Sequence, residues 1–159
     1  MLIIFQDKIN RKITESIQIK SVFLQTFTPK ISIMKIEIWS DVMCPFCYIG
    51  KKHFEQALTQ IPYQDKIQVE WKSFQLNPDL SKTEITSVND YLIKTKGISE
   101  EQVSAMNNQL AEMGKAVGID FQQQNSKVVN TSDAHRLIHF AQANGKGSEA
   151  VSYTHLRAH

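Results

Sequence analysis

The feature that most constrains this chain is Cys44-Pro45-Phe46-Cys47, which holds the only two cysteines of its 159 residues. An alternating run, Lys35 to Trp39, precedes it and predicts a strand, whereas the apolar spacing from Cys47 to Leu58 predicts a helix. A Cys-x-x-Cys at a strand-to-helix turn is the arrangement that a dithiol redox centre needs. The first sulfur then lies at a helix N-terminus, where unpaired N–H groups favour a thiolate.

The second cysteine follows one helical turn later, close enough to resolve a mixed disulfide. We therefore predict Cys44 as the attacking thiolate and Cys47 as the buried resolving thiol. Pro45 suits the first helical turn and stiffens it. Phe46 adds no charge between the cysteines, so we expect less stabilisation of the thiolate than a cationic residue would give.

Composition and charge exclude several classes of function. Residues 1–33 carry five basic and two acidic side chains, a net charge of +3, and the remainder carries a net charge of −1. The body is therefore close to neutral, and we expect no nucleic-acid partner. No apolar run approaches the roughly 18 residues of a membrane span, and residues 2–5 are too short for a signal-peptide core. We predict a cytoplasmic protein, where a lone Cys-x-x-Cys is typically catalytic or metal-binding.

Beyond the cysteines the chain predicts a second strand and then helices. Residues 67–74 alternate as a strand, which gives a βαβ unit, a parallel strand pair and an α/β fold. Ser87 reads as a helix start and Gly97 as its end, and Ser99 with Gln102 matches a capping box. A helix then carries an apolar stripe from Val103 to Val117, which we interpret as core packing of the helical part; its methionines would contact a peptide only if exposed. A third helix is predicted from about 132 to 143, with no strand after the second.

The residue patterns of both ends of the sequence differ from that of residues 34–150. Residues 1–33 show no clean period, and Met34 directly precedes the first convincing strand, so we interpret 1–33 as an over-extended leader. Residues 151–159 resemble a translated adapter tail, and we therefore offer neither His155 nor His159 as a ligand. We predict four parts: the doubtful extension 1–33, a βαβ part 34–80, a helical part 81–150 and an artefactual tail 151–159.

Three segments carry a family resemblance: 36–50 (IEIWSDVMCPFCYIG), 74–78 (FQLNP) and 130–137 (NTSDAHRL). Together they resemble the FrnE-like branch of the DsbA family, whose members have a thioredoxin fold with an inserted helical domain. The resemblance covers about residues 34–150. Relatives return to the thioredoxin fold through a cis-proline element, two strands and a helix, and no counterpart of these follows here. The resemblance therefore implies a chain whose C-terminal thioredoxin strands are missing.

Residues around the motif give further candidates. Trp39 is expected to pack in the core or beside the site, and Asp41 to stabilise the turn or, alternatively, to relay protons. The resemblance implies that the third helix caps the site, so that His135 and Arg136 are candidates for a substrate groove, with packing or surface roles as the alternative. We predict no metal site, although His135 and His139 with the two cysteines would complete a zinc ligand set.

The function implied is a thiol–disulfide oxidoreductase that acts on protein or small-molecule disulfides and dithiols, with no cofactor beyond its cysteine pair. Glutathione is a candidate co-substrate. The alternative is a glutathione-dependent transferase of the kappa type or a 2-hydroxychromene-2-carboxylate isomerase-like enzyme, against which the second cysteine argues. A redox-inert fragment of either is the third interpretation.

Overall fold

The computed structural model describes residues 2–6 and 33–158. Within them the strands are β1 (Leu2–Gln6), β2 (Met34–Ser40), β3 (Ile67–Ser73), β4 (Thr86–Ser87) and β5 (Lys127–Val128). The α-helices are α1 (Pro45–Thr59), α2 (Val88–Lys96), α3 (Glu100–Ala116), α4 (Ser132–Ala143) and α5 (Gly147–Ala158).

A β2–α1–β3 unit forms the centre of the fold and confirms the predicted parallel pair. Strands β2 and β3 run in register with Ile36 opposite Val69 and Ile38 opposite Trp71. Alternation along β2 buries Ile36 and Ile38 on one face, as a half-buried strand requires. The opposite face carries an ion-paired cluster, in which Lys35 lies 2.9 Å from Glu37.

The core of this unit lies between the sheet and the last two helices. Ile138 of α4 and Val151 of α5 pack with the buried residues Ile36, Ile38 and Trp71. The helix α4 also covers the free edge of β3. The side-chain amide of Gln142 accepts from the Trp71 N–H at 2.8 Å and donates to the Trp71 carbonyl at 3.3 Å. These two bonds satisfy backbone groups that an unpaired strand edge would leave open.

Helices α2 and α3 begin at the residues that the local capping signals predict, and α2 also ends where they predict. The side chain of Ser87 accepts from the Asp90 N–H at the start of α2, and Gly97 ends that helix with a φ of 67°. Both hydrogen bonds of the Ser99–Gln102 capping box are present at the start of α3. In α3 the residues Val103 and Leu110 are buried, whereas Met106 and Met113 are each 38% exposed. The stripe is thus only partly core.

The prediction that no strand follows the second one is wrong. Strands β4 and β5 pair antiparallel, with Thr86 opposite Val128 and Ser87 opposite Lys127. Each has only two residues, too few for an alternating pattern to register in the sequence. This long-range strand pair ties the start of α2 to the segment that precedes α4.

The two terminal segments were both interpreted as foreign to the fold, and these interpretations stay predictions. Strand β1 pairs antiparallel with β2, with Leu2 opposite Trp39 and Gln6 opposite Lys35, and residues 7–32 lie outside the described residues. At the other end α5 includes most of the predicted tail. Its Val151 and His155 are 2% and 1% exposed. The domain boundaries at 80 and 150 also stay predictions.

Candidate active site

The cysteine turn forms at the junction of β2 and α1. The Cys44 N–H donates to the Asp41 carbonyl at 3.1 Å, and the Cys47 N–H donates to the Cys44 carbonyl at 3.0 Å. Cys44 is the N-cap residue of α1 and Pro45 is its first residue. The first turn of the helix contains no acidic residue. A negative charge on the Cys44 sulfur would therefore meet the favourable end of the helix dipole.

The two sulfurs differ in access. Cys44 is half-buried, whereas Cys47 is only 4% exposed, and both are free thiols. Cys44 lines an apolar groove in the surface, and Cys47 does not line it. An external disulfide can therefore reach the Cys44 sulfur first.

The two thiols titrate as a pair. A hydrogen bond from the Cys44 thiol lowers the pKa of Cys47 to about 6; burial opposes this shift, and the backbone N–H of Asp41 adds to it. The same hydrogen bond raises the pKa of Cys44, and burial raises it further. The pair thus loses its first proton readily and its second with difficulty.

The sequence predicts a thiolate at Cys44. In the folded chain the two thiols share one hydrogen bond, so the lowered first pKa belongs to the pair. A proton shift along that hydrogen bond places the thiolate on Cys44, the accessible sulfur.

Asp41 holds the turn from the inside. Its side chain is 1% exposed. One carboxylate oxygen accepts from the Leu76 N–H at 2.7 Å. The other lies 3.4 Å from the Met43 nitrogen and 3.1 Å from the His135 Nε2. Burial raises the pKa of Asp41, but the hydrogen bonds outweigh it, His135 most strongly, and the net shift is downward.

His135 and His155 both reach Asp41 from the last two helices. His135 is 6% exposed and contacts the carboxylate, as described above. His155 Nε2 lies 3.2 Å from the Asp41 carbonyl oxygen, and its ring stacks on Tyr48 with centroids 5.4 Å apart. Burial lowers the pKa of His155. Asp41 thus joins the cysteine turn to α4, α5 and the segment after β3.

The outer side of the turn is an apolar groove with a volume of about 310 Å³, at the lower end of the range for small-ligand pockets. Its walls are formed by the cysteine turn, by Leu76 after β3 and by residues of α2 and α3. The lining residues are Met43, Cys44, Pro45, Phe46, Leu76, Val88, Tyr91, Leu92, Lys96, Met106, Asn107, Leu110, Gln123 and Val128. Phe46 is 46% exposed, so its ring is presented to this side.

The structure brings only some of the predicted residues to this groove. Cys44, Pro45 and Phe46 line it, whereas His135 lies inside against Asp41. Arg136 is 82% exposed at its side chain and pairs with Asp133 at 3.3 Å, outside the groove lining. Trp39 is half-buried, on the strand face opposite Ile38, with its indole nitrogen buried and without an acceptor among the described residues.

The imidazole of His139 lies 2.7 Å from the Ser73 hydroxyl. His139 is therefore hydrogen-bonded to Ser73 and not to the cysteine turn, where the zinc ligand set considered above would need it. Within residues 2–6 and 33–158 no group of three or more His, Cys, Asp or Glu side chains is placed to hold a metal ion. In the same part of the chain, no helix combines the length and the apolar character needed to cross a membrane.

Sequence reasoning missed most of the groove wall. Tyr91 and Leu92 lie on α2, and Gln123 lies in a short 3₁₀ turn, 123–125. The helical pattern of α2 shows that an apolar face exists, but not that it faces the cysteines. Gln123 stands in a polar run too brief to interpret, and no sequence signal distinguishes it from its neighbours. Met106, by contrast, satisfies the condition of exposure set for a peptide contact, since it lines the groove.

A cysteine pair at a βα turn, with one sulfur open and one buried, is the arrangement typical of dithiol redox centres. Comparison with known proteins makes the class more specific. The family of DSBA-like thioredoxin domains matches residues 35–159. The chain therefore belongs to the DSBA-like thioredoxin domain family, and its fold is a thioredoxin-like α/β fold.

Two similar proteins show how much of a related chain this match covers. The Uncharacterized protein YwbO of Bacillus subtilis (strain 168) is 30% identical over 119 residues, which cover 72% of this chain and 50% of that protein. The probable DsbA oxidoreductase SCO1869 from Streptomyces coelicolor superposes with a TM-score of 0.72 and 34% identity, covering 76% of this chain and 52% of that one. The chain thus spans about half the length of these relatives. At the level of the family, the likeness supports thiol–disulfide oxidoreductase chemistry.

Proposed function

We propose that this chain carries the redox centre of a dithiol–disulfide oxidoreductase, with Cys44 as the attacking and Cys47 as the resolving cysteine. The observation that carries the proposal is the arrangement of the two sulfurs. Cys44 lies at the N-terminus of α1 and lines the groove, and Cys47 is buried one turn later. This order separates the sulfur that meets the substrate from the sulfur that releases it.

In the reducing direction the Cys44 thiolate attacks one sulfur of a substrate disulfide. The substrate S–S bond breaks, a mixed disulfide with Cys44 forms, and the other substrate sulfur leaves as a thiolate. Cys47 then gives up its proton and attacks the Cys44 sulfur, which releases the second substrate thiolate. The substrate gains two electrons and the chain becomes the Cys44–Cys47 disulfide. The oxidising direction is the reverse of these steps.

The partners we propose are protein or small-molecule disulfides and dithiols, with glutathione as a candidate co-substrate and no cofactor beyond the cysteines. We propose a cytoplasmic location, as argued from the sequence, and membership of the FrnE-like branch. Nucleic acid and membranes are not proposed as partners. The apolar groove supports a substrate that brings apolar surface to the reacting sulfur.

Replacing each cysteine separately tests the division of roles. We expect Cys44→Ser to abolish disulfide exchange and Cys47→Ser to trap mixed disulfides, because the resolving step is lost while attack is retained. Mass spectrometry of the 159-residue chain after incubation with 2-hydroxyethyl disulfide measures the adduct directly. His53→Ser is the matched control, because His53 is exposed on the same helix.

Exchange that survives Cys44→Ser, or adducts that accumulate on Cys47 in the wild-type chain, would contradict the assignment. Glutathione binding without any disulfide exchange would instead favour the kappa-type alternative.

A further inference from the structure

Ser40 is the last residue of β2, directly before the cysteine turn. It shares the buried face of the strand with Ile36 and Ile38, and only 7% of it is exposed. Its backbone is held in place, because the Ser40 carbonyl accepts from the Phe74 N–H at 3.1 Å. Its hydroxyl oxygen is buried and makes no hydrogen bond of standard geometry within the described part of the chain. Native structures contain few such groups, so this one calls for an explanation.

The group that the hydroxyl faces is the sulfur of Cys47. Ser40 lowers the pKa of Cys47 by hydrogen bonding, as does the backbone N–H of Asp41. Cys47 is itself only 4% exposed, so water contributes little to stabilising a charge on its sulfur. A thiolate at this position therefore depends on donors that the protein supplies.

The number of these donors changes during the proposed reaction. In the dithiol chain the largest contribution comes from the Cys44 thiol, which hydrogen-bonds to the Cys47 sulfur. Once Cys44 is bonded to a substrate, it has no thiol proton left to donate. The Ser40 hydroxyl and the Asp41 N–H then remain, and Cys47 must become a thiolate at this same stage to attack. The side-chain donor is thus needed most in the mixed disulfide.

We propose that Ser40 is a further catalytic residue, whose hydroxyl donates a hydrogen bond to the Cys47 thiolate in the step that releases the substrate. In that step Cys47 loses its proton to water, and its sulfur forms a bond to the Cys44 sulfur. The bond between Cys44 and the substrate sulfur breaks, and the electron pair leaves on the substrate as a thiolate. The inference rests on the proposed function and adds to it the residue that assists resolution.

Other charged groups approach the turn from the elements packed against it. His135 of α4 contacts the Asp41 carboxylate, and His155 of α5 contacts the Asp41 carbonyl. Lys51 follows Cys47 by one helical turn and is ion-paired with a glutamate on the same helix. All of them are common to the parent chain and to the variants of the test. A difference between those chains therefore reports the hydroxyl.

The test follows the two steps separately, with a dipyridyl disulfide as the probe and the reduced chain in excess. Attack by Cys44 releases one pyridinethiolate, and resolution by Cys47 releases the second. The absorbance of the released product reports both phases. The rate of the first phase rises with the concentration of the chain, whereas the second phase is intramolecular and does not depend on it. The same measurement is repeated from neutral to alkaline pH.

Ser40→Ala removes the donor with little change in volume. At neutral pH we expect the second phase to slow about 3- to 10-fold, because a smaller fraction of Cys47 is then thiolate. The deficit is expected to close at alkaline pH, where Cys47 is deprotonated with or without the hydroxyl. The first phase is not slowed, because attack by Cys44 does not need a thiolate on Cys47.

Ser73→Ala is the matched control. Ser73 lies opposite Ser40 on β3, and its hydroxyl is hydrogen-bonded to His139 instead of facing the cysteine turn. We expect this variant to change neither phase. Thermal melting of the oxidised chains adds a second readout, in which we expect Ser40→Ala to melt no lower than the parent, since the hydroxyl has no thiolate to bond there.

The remaining outcomes overturn one claim or the other. A second phase that Ser40→Ala leaves unchanged at neutral pH overturns the role of Ser40. Equal slowing of both phases also overturns it, as does a deficit that persists at alkaline pH, because altered geometry would explain either result. If the parent chain releases no pyridinethiolate, or only the first, the proposed function itself fails.

Discussion

The inner and outer sides of the cysteine turn differ in polarity. On the inner side His135 and His155 contact Asp41 and form a buried polar cluster with it. On the outer side Cys44 lines an apolar groove whose wall includes Phe46 and Leu92. The difference teaches that one turn can serve two purposes. Fixed hydrogen bonds on the inside hold its geometry, and an open apolar surface on the outside faces the proposed substrate.

The largest expected effect comes from removing Asp41. Asp41→Ala leaves the Leu76 N–H, the Met43 N–H and His135 without their carboxylate. Loss of one partner from such a buried cluster costs about 3 kcal/mol or more. We expect the free energy of unfolding, measured by urea denaturation, to fall by about that amount.

The matched control is Asp133→Ala, because that carboxylate is 72% exposed at its side chain and, among the residues that the structure describes, forms an ion pair with the exposed Arg136. We expect a change below about 1 kcal/mol there. Similar losses in the two variants would show that the inner cluster is no more than a surface network.

An intermediate effect is expected at Phe46 on the outer side. Phe46→His introduces a side chain that can stabilise a neighbouring thiolate, and stabilising the reduced form makes a dithiol a stronger oxidant. We expect the reduction potential to rise by about 30 mV, equivalent to a tenfold change in the exchange constant. Equilibration with glutathione buffers measures it, and Phe46→Leu serves as the uncharged control. An unchanged or lower potential in Phe46→His would count against this view of the outer side.

The smallest effect is the pH dependence of stability. His155 has a lowered pKa in the folded chain, so its contribution is present above the unfolded value near 6.5 and is lost as pH falls from there through the lower folded value. Asp41 also has a lowered pKa, so its contribution is present above its unfolded value near 3.8 and is lost as pH falls through the lower folded value. Both signs predict that the free energy of unfolding decreases on acidification.

Asp41→Asn separates the two groups. This variant keeps a carbonyl oxygen at the site but does not titrate, so we expect the decrease below about pH 4 to flatten while the step attributed to His155 remains. Urea denaturation across the acid range provides the measurement. If Asp41→Asn leaves the pH dependence of the free energy of unfolding unchanged, Asp41 does not cause the loss of stability in acid.

The sequence predicts local features of this fold well and long-range contacts poorly. The parallel strand pair, the cap at Ser87 and the glycine stop at Gly97 follow from signals within a few residues. The contact between Asp41 and His135 joins positions 94 residues apart, and no local pattern predicts it. Asp41 was expected to stabilise the turn, and its carbonyl does accept the Cys44 N–H, but its carboxylate contacts depend on how α4 docks.

The same limit explains the groove. The two cysteines and Phe46 were identified because the motif places them together, whereas Tyr91 and Gln123 reach the site only through the packing of α2 and the 123–125 turn. His135 was a candidate for a substrate groove, with a packing role as the alternative, and the structure places it in the polar interior against Asp41. Periodicity shows that a helix has a buried face, but the partner of that face is decided by tertiary packing.

The central claim is that the outer sulfur reacts and the inner sulfur is held. Alkylation by iodoacetamide across the neutral pH range, with each cysteine followed by peptide mass spectrometry, tests it most directly. We predict that Cys44 is modified first at every pH, at a rate that rises with the first deprotonation of the cysteine pair, while Cys47 reacts only after Cys44 or after unfolding. Modification of Cys47 at an equal or greater rate in the folded chain would contradict the account.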